Sequence, residues 1–163
     1  MVILDSFVVP QSTDSKQQKY NSLLRQIRDV VYNEEDLVAN LANVSAILHY
    51  GMRFSWTGFY HARNEELVLG PFQGPAAISR IAMGQGVCGV AYTKECTIIV
   101  DDVEQFAGHV PVTDEDKSEI VVPAYRKGEI ALLLNVNSNQ LRNFTDVDKK
   151  NLEQVMHLLE EIL

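Results

Sequence analysis

The sequence predicts an α+β domain, built from a mostly antiparallel sheet with helices on one face. Apolar residues recur at helical spacing near both ends of the chain, whereas the middle alternates with period two among β-branched and aromatic residues. A long polar loop, 101–117, interrupts the later strands and is expected to cover the other face. At 163 residues the chain has the size of one domain. We therefore predict a tail over 1–13 and a single domain over 14–163.

Two helices are predicted before the first strand. The first, over 15–32, places its leucine, isoleucine and valine residues on one stripe. The second follows the capping sequence 33–36 and runs to His49, and Gly51 is expected to end it.

The middle of the chain is predicted to form strands over 55–61, 66–69, 79–82, 97–100, 118–125 and 129–136. Asn64-Glu65 and Arg126-Lys127-Gly128 are expected to be tight turns between neighbouring strands. A short helix is predicted to begin near Val87, after two glycines. The last helix is expected to start at Thr145, with Asp148 completing its capping box.

Composition and charge exclude several classes of function. The net charge is −8, and no basic stripe is present to neutralise nucleic-acid phosphates or bind an anionic membrane surface. No apolar run approaches the roughly 20 residues of a membrane-spanning helix. Two cysteines are too few for a disulfide framework, which predicts a reducing, cytoplasmic compartment. No His, Cys or carboxylate spacing indicates a metal site, and we expect no bound cofactor.

Four motifs together resemble a known family: GPFQG at 70–74, GVCG at 86–89, GHVPVTDEDKSEIVVP at 108–123 and LLLNVNS at 132–138. They are similar to the GAF-domain enzymes that reduce free methionine-(R)-sulfoxide, and the resemblance covers residues 30–163. It implies a GAF-like fold, with a central sheet and the N- and C-terminal helices packed on one of its faces.

The resemblance also implies that the catalytic cysteine is missing. Reduction of a sulfoxide by a thiol needs a thiolate that attacks sulfur and a second thiol that resolves the sulfenic acid. The family's attacking position corresponds here to Val112 and its earlier recycling position to Ile78, while its third cysteine is retained as Cys88. Cys88 is expected to be a small buried side chain, although a helix N-terminus beside it would lower the pKa of its thiol. Cys96 matches no family cysteine, and a structural role is expected for it.

The resemblance places the ligand site along the strands and the lid. Two family carboxylates correspond to Asn135 and Asn137, which keep the shape but lose the negative charge; the alternative interpretation is a strand that simply ends in a turn. Glu119 matches the remaining carboxylate and His109 the family's lid histidine, although exposed positions would suit both. The expected ligand-binding side chains are Trp56, Tyr60, His109, Glu119, Asn135 and Asn137.

We therefore expect a non-catalytic relative that binds a small molecule, either amino-acid-like or neutral, or that has a regulatory role. One alternative is an active reductase that uses Cys88 and thioredoxin as its external reductant. Another is an interaction module that forms a homodimer through the apolar stripe of 152–163. The three consecutive carboxylates 114–116 are expected to keep the lid solvated and mobile.

Overall fold

In the computed structural model, which describes residues 7–163, a six-stranded sheet has three helices on one side and a short fourth helix on the other. The helices are α1 Lys16–Asn33, α2 Leu37–Met52, α3 Gly86–Lys94 and α4 Asp146–Glu160, with a 3-10 turn at Val103–Gln105. The strands are β1 Trp56–Arg63, β2 Glu66–Gln73, β3 Arg80–Ala82, β4 Ile98–Val100, β5 Ser118–Arg126 and β6 Glu129–Ser138. The strand order is β3-β2-β1-β6-β5-β4 and every pairing is antiparallel.

The helix starts follow the capping signals in the sequence. The side chain of Ser15 begins α1 in a capping box with Gln18, and Asp36 accepts from the backbone of Ala39 to begin α2. Thr145 and Asp148 form the expected box at α4. These side chains satisfy amide groups that the first helical turn leaves without partners.

The prediction that Gly51 ends the second helix was wrong. Gly51 lies within α2, which ends at Arg53 in the left-handed conformation. A Cβ at position 51 would lie 2.4 Å from a methyl carbon of Leu23 on α1. Glycine is therefore used for close helix packing at this point, and not for its backbone freedom.

The two predicted tight turns are present. Asn64 and Glu65 join β1 to β2, and Lys127 and Gly128 join β5 to β6, all with positive φ. Two successive positive φ values give the turn whose twist matches that of antiparallel strands. The main error in the strands is β2, which continues to Gln73 instead of ending at residue 69.

The sheet separates two apolar clusters. We call the face that packs against α2 and α4 the helical face; α1 lies against both of these helices. We call the opposite face the lid face, because α3 and the loop 101–117, named the lid below, pack there. Period-two alternation assigns neighbouring residues to opposite clusters, as with Phe59 on the helical face and Tyr60 on the lid face.

The apolar stripe of the last helix belongs to the domain's own core. Leu152, Val155 and Leu159 have no exposed surface, and Ile162 and Leu163 pack partly against the same cluster. This helix therefore leaves no broad apolar face for a second copy, and the predicted homodimer gains no support from it.

The tail is described only from residue 7. The backbone amide and carbonyl of Val8 each bond the side-chain amide of Gln26 at 3.0 Å, which holds this part of the chain against α1. The prediction for residues 1–6 lies outside the described residues. None of the described helices is long and apolar enough to cross a membrane.

Candidate functional site

Strand register brings the candidate side chains together on the lid face. Trp56 on β1 and Glu119 on β5 are each paired directly with Asn137 on the central strand β6. Asn135 lies one step along the same face of β6, opposite Gly58. Because residues two apart on a strand point the same way, Asn135 and Asn137 share the lid face with Trp56 and Tyr60.

Glu119 is a buried carboxylate that points inward, with 2% of its surface exposed. Its Oε2 accepts a hydrogen bond from Nε2 of His109 in the lid at 3.1 Å. Burial raises the pKa of Glu119, the hydrogen bond from His109 opposes that rise, and the charge of Asp116 adds to it. The same hydrogen bond raises the pKa of His109, against the opposing effect of burial. The hydrogen bond between His109 and Glu119 therefore holds the lid against the lid face of the sheet most strongly when the imidazole is protonated.

A second attachment of the lid is Asp116, which the sequence analysis wrongly treated as part of a solvated charge run. Asp116 is 4% exposed and accepts hydrogen bonds from the backbone amide of Thr113 at 2.9 Å and its hydroxyl at 3.0 Å. A third comes from the hydroxyl of Ser55 at 3.2 Å. Only Asp114 and Glu115 of the three carboxylates are exposed. Three donors compensate the buried charge, so Asp116 fastens the lid instead of loosening it.

The two asparagines form a polar strip beneath the lid. Asn135 is 2% exposed and Asn137 is fully buried, and Nδ2 of Asn137 donates to Oδ1 of Asn135 at 3.3 Å. Burial raises the pKa values of both Glu119 and Cys88, and hydrogen bonding with Asn135 lowers them. Oδ1 of Asn137 has no hydrogen-bond partner.

Cys88 lies in the first turn of α3, 3% exposed, and packs with the lid-face cluster. Burial raises the pKa of its thiol well above the usual value, and the nearby charge of Glu119 raises it further. The possibility that the helix N-terminus lowers this pKa is therefore not realised. Cys96, in contrast, is exposed just beyond the end of α3 and contributes nothing to the core, against the expected structural role.

The two positions assigned to lost cysteines lie in different surroundings. Val112 is half-buried in the lid and packs against the lid-face cluster. Ile78 lies in the loop after β2 with 44% of its surface exposed. Val112 therefore faces the candidate site, whereas Ile78 lies at its edge.

The aromatic rings of Trp56 and Tyr60 are held in place by hydrogen bonds from their polar atoms. Nε1 of Trp56 donates to the carbonyl of Pro75 at 3.0 Å, and the hydroxyl of Tyr60 donates to the carbonyl of Ile78 at 2.9 Å. The indole stacks on Phe72 with ring centroids 5.4 Å apart and faces Tyr60 at 6.3 Å. Both donors are therefore used to hold the loop 74–79, and the rings offer the site an apolar surface.

The structure thus brings Trp56, Tyr60, His109, Glu119, Asn135 and Asn137 to one face of the sheet, and their role in binding a ligand stays a prediction. Sequence reasoning missed Asp116, Ser55 and Phe72. The GPFQG motif contained a signal for Phe72, because it places an aromatic residue on a strand beside Trp56. The bond between Ser55 and Asp116 joins positions 61 residues apart and left no local signal.

A surface groove lies apart from the candidate side chains. A surface groove of about 410 Å³ lies between the edge strand β4 and the lid, lined by Ile99, Val100, Asp101, Asp102, Gln105, Phe106 and Arg142. None of the candidate side chains lines it. Among residues 7–163, no group of three or more His, Cys, Asp or Glu side chains is arranged to hold a metal ion.

Comparisons with known proteins point to one family. The profile of the GAF domain matches residues 33–163. GAF domain-containing protein A of Dictyostelium discoideum is 47% identical over 150 residues, covering 91% of this chain and 95% of that protein. Free methionine-R-sulfoxide reductase of Escherichia coli (strain K12) is 37% identical over 150 residues, covering 91% of each. The structure of free methionine-R-sulfoxide reductase from Neisseria meningitidis in complex with its substrate superposes with a TM-score of 0.91 at 39% identity, covering 96% of this chain and 95% of that one.

Proposed function

Because this chain belongs to the GAF-domain family that includes the free methionine-R-sulfoxide reductases, we propose that it binds a small molecule on the lid face without turning it over. The ligand lies against Trp56 and Tyr60, above Asn135 and Asn137, and beneath the lid that His109 fastens to the sheet. Binding coupled to lid position then serves a regulatory role.

The observation that carries the proposal is the position of Val112. Its side chain packs from the lid against the same cluster that contains Trp56, and the resemblance assigns the family's attacking thiolate to this position. An aliphatic side chain fills that position and has no nucleophile. The second replaced position, Ile78, removes the thiol that would resolve a sulfenic acid.

Cys88 is poorly suited to replace the missing thiols. Attack on sulfur needs the thiolate, and both burial and the neighbouring Glu119 raise the pKa of Cys88. A disulfide with Cys96 is also unfavourable. Cys88 is buried in the lid-face cluster, whereas Cys96 is exposed beyond the end of α3. These points disfavour the active-reductase alternative. Free thiols at both cysteines are also in keeping with a reducing, cytoplasmic compartment.

Turnover is tested with a thioredoxin-coupled assay. Free methionine-(R)-sulfoxide is offered at high protein concentration, and reductant consumption is compared between the wild type and Cys88→Ser. We expect both to stay at the rate of buffer alone. Consumption well above that rate in the wild type, abolished in Cys88→Ser, would overturn the non-catalytic assignment.

Binding is tested through Trp56, which is the chain's only tryptophan and therefore a reporter at the site itself. A library of amino acids, their sulfoxides and small neutral metabolites is screened by its emission. We expect at least one compound to change the emission saturably, and to lose that effect in Asn135→Leu but keep it in Asn139→Leu, an exposed control on the same segment. If no compound acts, or if every effect persists unchanged in Asn135→Leu, the binding proposal fails.

A further inference from the structure

One polar atom on the lid face is left without a partner. Among the described buried side chains, four nitrogen or oxygen atoms have no hydrogen bond: Oδ1 of Asn40, Nδ1 of His49, Oγ1 of Thr57 and Oδ1 of Asn137. Asn40 and His49 belong to α2, on the helical face, and Thr57 alternates with Trp56 and so points to that face as well. Asn137 is therefore the one that faces the proposed site, and it has no exposed surface.

The free atom of Asn137 is fixed as an acceptor by its neighbours. Asn135 lies two residues away on the same face of β6, with its Oδ1 towards Asn137. That oxygen receives Nδ2 of Asn137, which leaves only Oδ1 of Asn137 free. An amide oxygen has no hydrogen to donate and can only accept a hydrogen bond.

The negative charges around this acceptor are already engaged. Glu119 accepts from His109, and Asp116 accepts from Thr113 and Ser55. An ammonium group brings three donors and a charge that needs a carboxylate in a desolvated place. A single amide oxygen satisfies one donor and supplies no charge. An ammonium group would therefore have to share a carboxylate that already has hydrogen-bond partners.

We propose that the ligand presents one uncharged hydrogen-bond donor, an amide N–H or a hydroxyl, to Oδ1 of Asn137, and an apolar body to the indole of Trp56. Trp56 is the direct strand partner of Asn137, so the two groups lie side by side on the sheet. Val112 supplies the apolar surface on the lid side. This ligand class rests on the proposed function, since it names what the same site would accept.

The test uses four probes with one apolar body and different head groups: 4-methylpentanamide, 4-methylpentan-1-ol, 4-methylpentan-1-amine and methyl 4-methylpentanoate. Their dissociation constants are measured by Trp56 emission at pH 7, with free methionine-(R)-sulfoxide as the zwitterionic comparison. We expect the amide and the alcohol to bind roughly tenfold more tightly than the ester, which lacks a donor, and more tightly than the amine. Tighter binding of the amine or of the zwitterion would overturn the ligand class.

Variants at one position separate the acceptor from the apolar wall. In Asn137→Leu the amide and ester probes are expected to bind equally, while Asn139→Leu keeps the wild-type ranking. An unchanged preference for the amide in Asn137→Leu would contradict the proposal, and the wild-type ranking decides the matter if that variant does not fold. Failure of all four probes also rejects the ligand class, whereas the binding function fails only if the broader screen finds no ligand.

Discussion

Asn137→Asp tests whether Asn137 lies beside a buried charge, as the strand register requires. The substitution keeps the size of the side chain and adds one carboxyl group with no exposed surface, directly opposite Glu119 in the ladder between β5 and β6. Directly paired residues have Cβ atoms about 5 Å apart. The new carboxyl group therefore meets a like charge at close range and has no free cationic partner.

The expected cost follows from that distance. Two unit charges about 5 Å apart interact by roughly 3 kcal/mol at an effective dielectric constant of about 20. Repulsion and burial both raise the pKa of the new group above its unfolded value. A group with a raised folded pKa contributes no penalty below its unfolded pKa and a growing one as pH rises through the folded value. We therefore expect a loss of about 3 kcal/mol in the free energy of unfolding at pH 8 and little loss near pH 4.

The assay is urea denaturation of the wild type and the variant at pH 4, 6 and 8. Asn139→Asp is the matched control, because it makes the same chemical change two residues away at an exposed position. Its cost is expected to stay within about 0.5 kcal/mol at every pH. Equal losses for the two variants at pH 8 would refute the placement of Asn137 beside Glu119.

Two further predictions concern the lid. Glu119→Gln removes the main cause that raises the pKa of His109 and leaves burial, which lowers it, opposed by the charge of Asp116. The difference in the free energy of unfolding between the wild type and this variant should be largest below pH 6.5. It should shrink as pH rises through the raised pKa of His109, by about 1.4 kcal/mol for each unit by which the variant lowers that pKa. Denaturation from pH 5.5 to 8.5 measures it, with Glu115→Gln as the exposed control; an advantage that grows with pH contradicts it. Asp116→Asn weakens the bonds from Thr113 and Ser55 and should cost about 1–3 kcal/mol and speed proteolysis within the lid. Asp114→Asn, on an exposed residue, should do neither, and equal behaviour of the two would show that Asp116 does not fasten the lid.

The faces of the strands were predictable from the sequence because alternation is a local property. Asn135 and Asn137 follow one another at period two, and that spacing alone places them on one side of the sheet. The capping box of the last helix was predictable for the same reason, because Thr145 and Asp148 lie three residues apart. What was predicted correctly thus depended on neighbours within a few positions.

The errors arose where a distant partner decided the outcome. Asp116 belongs to a run of three carboxylates that looks solvated in the sequence. In the structure it is buried and accepts a hydrogen bond from Ser55, 61 residues away. Gly51 has the signature of a helix end, yet the contact with Leu23 requires a glycine inside the helix. Neither of these partners can be identified from local spacing.

The most direct test of the central claim is the state of the two thiols after contact with free methionine-(R)-sulfoxide. The reduced protein is incubated with a large excess of the sulfoxide and no reductant, in the presence of dimedone, and its intact mass is then measured. We predict an unchanged mass, with Cys88 and Cys96 both free. A dimedone adduct on Cys88, or a loss of two hydrogens that marks a new disulfide, would contradict the account.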